Sequence, residues 1–461
     1  MQDPKSRIGV FVGLCWIYTC IHLDRQILGI LANSVKSNFD LSDQQLGTLT
    51  GSAFSIVYAL LGLHFGSLAD RGNRLRLAAI GAWIWSLSSI GGAFATGYPG
   101  LVASRAGVAF GEAVATAATV SLIAEIAGEK YRGRAAGVFF ACAFLGAGTA
   151  AIAGGAIVDC CNDLISFGGW RIAMVAAGLP GIAGALYLGI FHGKADVRNS
   201  VRLPPHRARL PMMATAASLF AVLVQMRWQP SVSVPISISI AVLYGAGWMR
   251  SQWRFDRQAF LATLGKVEFR WLLLAFAAVL FVDYGATFWL LPFAQRRFGV
   301  TAGRAGADLG LLLIVGGILG CLFGGWVADR WHRLKASGRV WTAMIAVIAE
   351  AAAIVVALRQ TEYTGFVVAF GIFCISSGGW TGVAAAIGFD IVPREHRGSG
   401  TALYFLVTTV FGAGLGPFAI GLVSDRIGSL GLALAWACAV MVVGALALAR
   451  LSLLIECPEA G

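Results

Sequence analysis

Long apolar stretches follow one another along almost the whole chain, between residues 8 and 453. Most contain roughly 17–25 residues, enough for a helix to cross about 30 Å of hydrocarbon. They do not show the ten-residue alternation of apolar and polar positions that is typical of barrel strands. The pattern therefore predicts an all-α multi-pass membrane protein. The predicted spans are 8–32, 44–68, 74–95, 98–126, 131–158, 170–191, 271–294, 305–327, 339–358, 363–390, 398–424 and 429–453.

The second six spans repeat the first six. An offset of 259 residues carries Asp24 onto Asp283 and Asp70 onto Asp329, and farther along an offset of 265 carries Arg132 onto Arg397. Both repeats begin on the same side, so they are parallel repeats related by an axis along the membrane normal. The sequence predicts two six-helix bundles, at 1–192 and 271–461, related by a pseudo-twofold axis, with substrate bound between them near the midplane.

Residues 193–270 lie outside the repeat. They form a basic linker that contains two shorter apolar runs, 211–226 and 230–248, joined by "RWQP". Because two crossings return the chain to its starting side, both basic ends of the linker can lie inside. The runs are either a membrane-spanning hairpin or a peripheral linker, and the hairpin is preferred.

Composition changes this picture little. The chain is 58% hydrophobic and 13% charged, with a mean hydropathy of +0.76, whereas soluble proteins are about 25% charged. No phosphate-loop pattern and no H-E-x-x-H motif occurs in the sequence. We therefore expect no enzyme activity, no metal and no cofactor other than a proton as coupling ion.

The net charge of +12 is concentrated in alternate loops. By the positive-inside rule these loops face the cytoplasm, which also places both termini there. Arg296, Arg297 and Arg304 are exceptions on the opposite side. This distribution favours a plasma membrane, or bacterial inner membrane, over nucleic acid as the partner of the basic residues, and we expect a monomer.

Two loops share one arrangement of acids and arginines, "GSLADRGNRLR" (66–76) and "GWVADRWHRLK" (325–335). A carboxylate at such a helix end can receive the positive N-terminus of another helix while the cytoplasmic side is closed. A second acid in each half precedes a loop arginine by seven residues and can hold it when that contact breaks. The alternative is that these loops only fix orientation. The predicted gating residues are Asp70, Arg71, Arg74, Glu125, Arg132, Asp329, Arg330, Arg333, Asp390 and Arg397.

These two loops resemble the signature of the major facilitator superfamily, in both halves of the chain. "HLDRQILG" (22–29), "SRAGVAFGEA" (104–113) and "EKYRGRAAGVF" (129–139) are similar to its Spinster-like branch. The resemblance implies alternating-access transport driven by protons, with sphingoid and lysophospholipid substrates in the better-known relatives. The fifth span has Gly137, Gly146, Gly154 and Gly155 at the positions of the glycine pattern of the superfamily's antiporters, which predicts close helix contact and a flexible segment. Ala150-Ala151 replaces the expected Gly-Pro and leaves the transport direction open.

Four charges interrupt the apolar spans of the first half. Arg105 and Glu112, seven residues apart, lie on one face of the fourth span, about 10.5 Å apart along its axis. Counted from the outer helix ends, Asp24 and Arg25 lie at a depth between them. The sequence therefore predicts crossed pairs, Asp24 with Arg105 and Glu112 with Arg25, on one side of the cavity.

These charges are candidates for proton and substrate binding. Glu112 is the preferred proton site because it lies deeper, and Arg25 or Arg105 is the preferred contact for a phosphate or carboxylate headgroup. A purely structural clamp is the alternative. Asp283 stands alone opposite Asp24 across the pseudo-twofold axis, and it is either a second proton site, a contact for a substrate amine, or a helix-capping or water-facing acid near the gate.

The predicted function is proton-coupled movement of an amphiphilic, lipid-like molecule, with that substrate and membrane lipids as partners. A drug or organic-anion exporter on the same scaffold is a second transport hypothesis. A passive lipid scramblase or a non-transporting sensor is a third, of another class, because neither needs buried acids or a proton gradient.

Overall fold

The computed structural model is built of helices, and it describes residues 4–69, 73–126, 128–161, 168–190, 205–255 and 257–456. The helices of the first repeat are α1 Pro4–Phe39, α2 Asp43–Thr50, α3 Ser52–Ala69, α4 Arg74–Ala93, α5 Tyr98–Ile126, α6 Gly128–Cys161 and α7 Gly169–Gly189. The helices between the repeats are α8 Pro205–Arg227, α9 Pro230–Phe255 and α10 Arg257–Ala262. Those of the second repeat are α11 Val267–Phe298, α12 Ala302–Leu334, α13 Gly338–Arg359, α14 Tyr363–Ile391, α15 Arg397–Val407, α16 Gly416–Ile427 and α17 Leu430–Glu456.

Eleven helical segments within the described residues are long and apolar enough to cross a membrane. Large apolar side chains such as Leu243, Phe323 and Leu446 are exposed on their surfaces, an arrangement that suits contact with lipid. α4 and α5 are predicted spans outside that set of eleven; they pack against each other and carry buried polar residues. The predicted all-α multi-pass architecture is confirmed.

Two predicted spans are interrupted. The span 44–68 breaks at Gly51 into α2 and α3, whereas the sequence predicts one continuous helix. The span 398–424 contains a π-helical segment, Thr408–Ala413, between α15 and α16. Pro417 lies in the first turn of α16, where its missing N–H breaks no intrahelical hydrogen bond, and this explains why a new helix begins there.

Contacts divide the chain into two compact units. Unit 1 comprises Met1–Leu41, Ala53–Ala241 and Thr301–Gly310. In it α1 packs on α6 and α7, and α4 packs on α5 and α7. The short segment Thr301–Gly310 contains the first part of α12, so unit 1 includes a piece of the second repeat.

Unit 2 comprises Ser42–Ser52, Val242–Val300 and Leu311–Gly461. In it α13 packs on α14 and α17, and α11 packs on α17 and on the π-helical segment. The short α2 packs on α16 and therefore belongs to this unit, although chain order places it in the first repeat. The division at 192 and 270 by sequence repeat stays a prediction, since contact units follow packing and not repeat boundaries.

The linker contains the two predicted apolar helices. α8 and α9 are separated only by Trp228 and Gln229, and the Ser237 hydroxyl of α9 donates to the Ala221 carbonyl of α8 at 3.3 Å. The apolar part of α9, Pro230–Ser251, is long enough to span a membrane, whereas that of α8, Pro211–Arg227, is shorter. The short α10 is an element that the sequence pattern does not predict.

Glycines bring helices together at the predicted positions in α6. A Cβ on Gly146 would lie 2.1 Å from the Thr19 carbonyl oxygen, and one on Gly155 would lie 2.2 Å from the Ala302 carbonyl oxygen. Only a residue without a side chain allows this approach, which lets small residues drive helix packing in a membrane. A Cβ on Gly154 would lie 2.6 Å from the Ile27 side chain, whereas one on Gly137 would meet no atom within 4 Å. The predicted close helix contacts of the fifth span are therefore confirmed at Gly146, Gly154 and Gly155 and, among the described residues, are absent at Gly137.

The glycines of α12 provide a matched test of this packing. A Cβ on Gly320 would lie 2.1 Å from the Ile375 carbonyl oxygen of α14, whereas one on Gly325 would meet no atom within 4 Å. Both alanine substitutions bring the same gain in helix propensity, so the difference in stability between the two variants measures the effect of the clash. We expect Gly320→Ala to lower the free energy of unfolding by about 1–3 kcal/mol relative to Gly325→Ala. Equal unfolding midpoints for the two variants in one detergent would contradict this packing.

Candidate functional site

Four charged side chains of α1 and α5 form two ion pairs inside unit 1. Arg105 Nη1 donates to Asp24 Oδ2 at 2.9 Å, and Arg25 Nε donates to Glu112 Oε2 at 2.6 Å. The side chains of Asp24 and Glu112 are fully buried, and that of Arg25 keeps 16% of its surface exposed. The predicted crossed pairing is therefore present. We call Asp24, Arg25, Arg105 and Glu112 the four-charge cluster.

Neutral groups hold this cluster in place. The Ser89 hydroxyl of α4 donates to Asp24 Oδ1. The Arg25 guanidinium lies over the rings of Phe54 and Tyr58, 4.8 and 4.7 Å from their centroids. Such cation–π contacts attract the guanidinium to the ring faces and hold it in place. Three residues that the sequence interpretation missed, Ser89, Phe54 and Tyr58, therefore belong to the site.

The four-charge cluster retains unused hydrogen-bonding capacity. Glu112 Oε1 and Arg105 Nε are buried and have no partner among the described residues. Buried polar atoms are nearly always paired, so each unpaired one calls for an explanation. Two carboxylates and two guanidiniums balance in charge, so adding a proton to Glu112 would leave a net positive charge beside Arg25.

Asp283 of α11 lies in a different kind of environment, inside unit 2. The Ser377 hydroxyl of α14 donates to Asp283 Oδ1 at 2.6 Å. The carboxyl group of Glu350, on α13, accepts the Trp380 indole N–H at 2.6 Å, and Trp380 follows Ser377 by three residues on α14, so the two acids lie close together. Glu350 is fully buried, and the sequence interpretation missed it. The signal that could have found Glu350 is an acidic residue inside an apolar span, here 339–358.

Two of the predicted gating residues of the second half, Asp329 and Asp390, meet at Arg339. Its guanidinium donates to Asp329 Oδ1 at 2.9 Å and to both oxygens of Asp390 at 2.7 Å. Arg397 donates to the Phe389 carbonyl at 2.7 Å instead of to Asp390. Arg330 and Arg333 are exposed near the end of α12. Arg339 is a basic residue that the sequence interpretation left out of this set.

The first half of the gating set is described only in part. Arg74 begins α4, just after Asn73, whose side chain accepts the Arg76 N–H. Asp70 and Arg71 lie outside the described residues, as do the side chains of Glu125 and Arg132. The predicted gating role of the whole set stays a prediction.

Carboxylates do receive helix N-termini in this structure, but at residues that the sequence interpretation missed. Asp425, near the end of α16, accepts the backbone N–H groups of Asp43 and Gln44 at 2.9 and 2.8 Å. Asp159, near the end of α6, accepts that of Gly303 at 2.9 Å. Asp159 and Asp425 end the fifth helix of each repeat, so a search for duplicated acids at helix ends would have found them.

A local ion pair explains one of the exceptions to the charge pattern. Arg296 donates to Asp43 through both terminal nitrogens, at 2.8 and 2.9 Å, and the Ser424 hydroxyl donates to the same carboxylate at 2.7 Å. A bidentate arginine–carboxylate pair has strict geometry, so Arg296 serves a structural contact within unit 2. It therefore carries little information about membrane orientation.

Comparisons with known proteins agree with these features. The model of the Major Facilitator Superfamily matches residues 14–417. An MFS-type efflux pump from Mycolicibacterium smegmatis is 27% identical over 439 residues, which cover 92% of this chain and 86% of that protein. Protein spinster homolog 1 from Homo sapiens is 25% identical over 449 residues, 93% of this chain and 74% of that protein.

Solved structures share the fold. A bacterial homolog of the human lysosomal transporter Spinster, in an inward-facing and unoccupied conformation, aligns with a TM-score of 0.73 and 22% identity, covering 98% of this chain and 97% of that one. A peptide transporter in complex with alafosfalin aligns with a TM-score of 0.74 and 15% identity, covering 100% of this chain and 97% of that one. At these identities the likeness is one of fold.

Proposed function

Since the chain belongs to the Major Facilitator Superfamily, a family of multi-pass membrane transporters, and is Spinster-like, we propose that it couples proton movement to transport of an amphiphilic, lipid-like substrate. The substrate class is that of lysophospholipids or sphingoid bases, and transport proceeds by alternating access. The chain acts as a monomer in a plasma or bacterial inner membrane, with both termini in the cytoplasm.

The observation that carries this proposal is the pairing of Glu112 with Arg25 in a buried, charge-balanced cluster. A carboxylate and a guanidinium in contact lower each other's cost of burial. When Glu112 takes up a proton, Arg25 loses its counter-charge and becomes available to an anionic headgroup. When the substrate leaves, Arg25 again favours the ionised form of Glu112, and the proton is released.

Arg105 and Asp24 have a supporting role in this scheme. Arg105 holds Asp24 with one nitrogen, while its Nε has no partner within the described chain. That free donor suits one further oxygen of a phosphate or carboxylate, since a guanidinium binds such groups with two parallel N–H donors. Headgroup binding and proton binding would thus share one set of residues.

Contacts at the helix ends suit a protein that opens on alternating sides. In the Arg339 bridge to Asp329 and Asp390 both carboxylates are exposed to solvent, so the ion pairs are weak and their rearrangement costs little free energy. We propose that Asp329, Arg330, Arg333, Asp390 and Arg397, with their counterparts in the first repeat, exchange partners as the cytoplasmic side opens.

A drug or organic-anion exporter is a second candidate function. The relative that is named an efflux pump covers most of this chain, and an arginine with a free donor suits an organic anion as well as a lipid headgroup. The two candidates differ in substrate and share the coupling residues.

Substrate competition separates these candidates. Purified protein in proteoliposomes with an imposed pH gradient is tested with a labelled lysophospholipid, a sphingoid base, an organic anion and a cationic drug. We expect the lysophospholipid or the sphingoid base to be transported and to be inhibited by the other lipid. Transport of the organic anion or the drug alone, unaffected by both lipids, would instead support the exporter.

A further inference from the structure

Unit 2 contains a second pair of acids, Asp283 on α11 and Glu350 on α13, in the interior of the helix bundle. Glu350 has no exposed surface, while Asp283 is half-buried. Their hydrogen-bond donors, Ser377 and Trp380, lie three residues apart on one face of α14, which brings the two carboxyl groups close together. Two carboxylates in contact in a desolvated site cannot both remain ionised, because each raises the cost of the other's charge.

Neutral donors occupy one oxygen on each acid. Ser377 donates to Asp283 Oδ1, and Trp380 donates to Glu350 Oε2. Glu350 Oε1 is buried and lacks any partner within the described residues. A proton carried on either carboxyl group would satisfy this oxygen by a hydrogen bond between the two acids, so the unpaired atom points to a shared proton.

The surroundings of the pair provide no compensating positive charge. The titratable groups that face it are two thiols, Cys374 on α14 and Cys438 on α17. Within the described chain, neither acid forms an ion pair with a lysine, arginine or histidine. A cation is the usual way to keep a buried carboxylate ionised, and a proton is the alternative.

The two repeats differ in how their buried acids are neutralised. In unit 1 the helix-1 acid, Asp24, meets Arg105, and the second acid, Glu112, meets Arg25. At the offset of 265, Glu112 corresponds to Ser377, and Trp85 corresponds to Glu350. Each repeat thus places two acids in its interior, but only the first neutralises them with arginines.

We propose that Asp283 and Glu350 together bind one exchangeable proton and form a second proton site, separate from the four-charge cluster. Half-buried Asp283 exchanges the proton with water, and fully buried Glu350 holds the proton away from water. The pair binds and releases this proton as a unit, so the titration belongs to both carboxyl groups together. The use of this proton in coupling rests on the proposed proton-driven transport, whereas its binding does not.

Infrared spectroscopy of the full-length protein in nanodiscs tests proton binding without any transport. We compare the C=O stretching band of protonated carboxyl groups, in H₂O and D₂O at neutral pH, for wild type, Glu350→Gln, Asp283→Asn and Glu112→Gln. Glu362→Gln, at an exposed residue before α14, is the matched control. Glutamine keeps the shape of Glu350 and can still accept the Trp380 N–H, so the variant retains the local packing.

We expect Glu350→Gln to remove one deuterium-sensitive carboxyl from the band, since Asp283 then ionises. Asp283→Asn should keep the proton on Glu350 but change the frequency and the pH dependence of the C=O band. Glu112→Gln and Glu362→Gln should both leave this component in place. Bands of equal area in wild type and Glu350→Gln would overturn the proposal, as would loss of the component when a cationic amine binds in place of the proton.

The number of protons moved per substrate tests the coupling role separately. In proteoliposomes we expect this ratio to fall by one in Glu350→Gln, while transport through the four-charge cluster continues. An unchanged ratio would overturn the coupling role of the pair. Loss of gradient dependence in Glu112→Gln supports the proposed function, and an unchanged infrared component in that variant supports a separate proton site at Asp283 and Glu350. The two hypotheses are therefore tested by different measurements.

Discussion

Replacing Glu112 with glutamine should abolish substrate accumulation driven by a pH gradient and retain substrate binding, because Glu112 is the proposed proton site of the four-charge cluster. Glutamine keeps the size of Glu112 and can accept the Arg25 Nε–H that now reaches Oε2 at 2.6 Å. It cannot release a proton, so Arg25 loses the counter-charge of Glu112 and the cluster is fixed in its substrate-binding form. Gradient-driven accumulation should therefore fall to the passive level.

The same variant should still exchange substrate across the membrane. Counterflow between labelled and unlabelled substrate needs alternating access but no net proton movement, so we expect it to continue, with an apparent affinity within about threefold of wild type. Glu362→Gln, which removes an exposed carboxylate, is the control and should accumulate substrate as wild type does. Undiminished gradient dependence in Glu112→Gln would show that Glu112 is not the coupling residue.

Replacing Arg105 with alanine should have the largest effect on stability. It leaves the fully buried Asp24 carboxylate with Ser89 as its remaining side-chain donor from the described residues of α4 and α5, and it removes the positive charge that lies 2.9 Å away. Breaking a buried ion pair by removing one partner costs about 3–5 kcal/mol, because the other charge stays desolvated. We expect a loss of this size in the free energy of unfolding, measured in mixed micelles.

Two further variants identify the cause of that loss. Arg304→Ala removes an exposed arginine whose Nε lies 3.9 Å from Asp308, and a change at such a surface site should stay within about 0.5 kcal/mol. Adding Asp24→Asn to Arg105→Ala removes the stranded charge, so the double variant should be more stable than Arg105→Ala alone. Strictly additive losses would contradict a direct Asp24–Arg105 interaction.

The helices could be predicted from the sequence because length and hydropathy determine which segments suit a bilayer. The exceptions are local. The break at Gly51 and the π-helical segment before Pro417 depend on backbone geometry, which an apolar pattern of 25 residues does not record. The packing of α2 with α16 in unit 2 is a tertiary contact between segments far apart in the chain, so no local pattern predicts it.

The ion pairs could be predicted because ionised side chains in an apolar helix are rare and need partners at similar depth. Depth along two helices was enough to select Asp24 with Arg105 and Arg25 with Glu112. Neutral partners carry no such signal: serine and phenylalanine are common in apolar spans, so Ser89 and Phe54 could be assigned only from coordinates.

Glu350 shows a different limit of prediction from the sequence. It is an ionisable residue inside a predicted span and therefore carried the same signal as Glu112, but no basic residue of the second repeat lies at a matching depth. A search for opposite charges overlooks two acids that are each other's partners. Asp159 and Asp425 were overlooked for a related reason, since their partners are backbone N–H groups, which every residue except proline has.

Proton movement caused by substrate tests the central claim most directly. Proteoliposomes that contain the wild-type protein and a pH-sensitive dye inside are given an outward substrate gradient with no initial pH gradient. If Glu112 and Arg25 couple the two fluxes, the internal pH changes only when transported substrate is present, and the change is absent in Glu112→Gln. Substrate movement with a constant internal pH in the wild-type protein would contradict proton coupling.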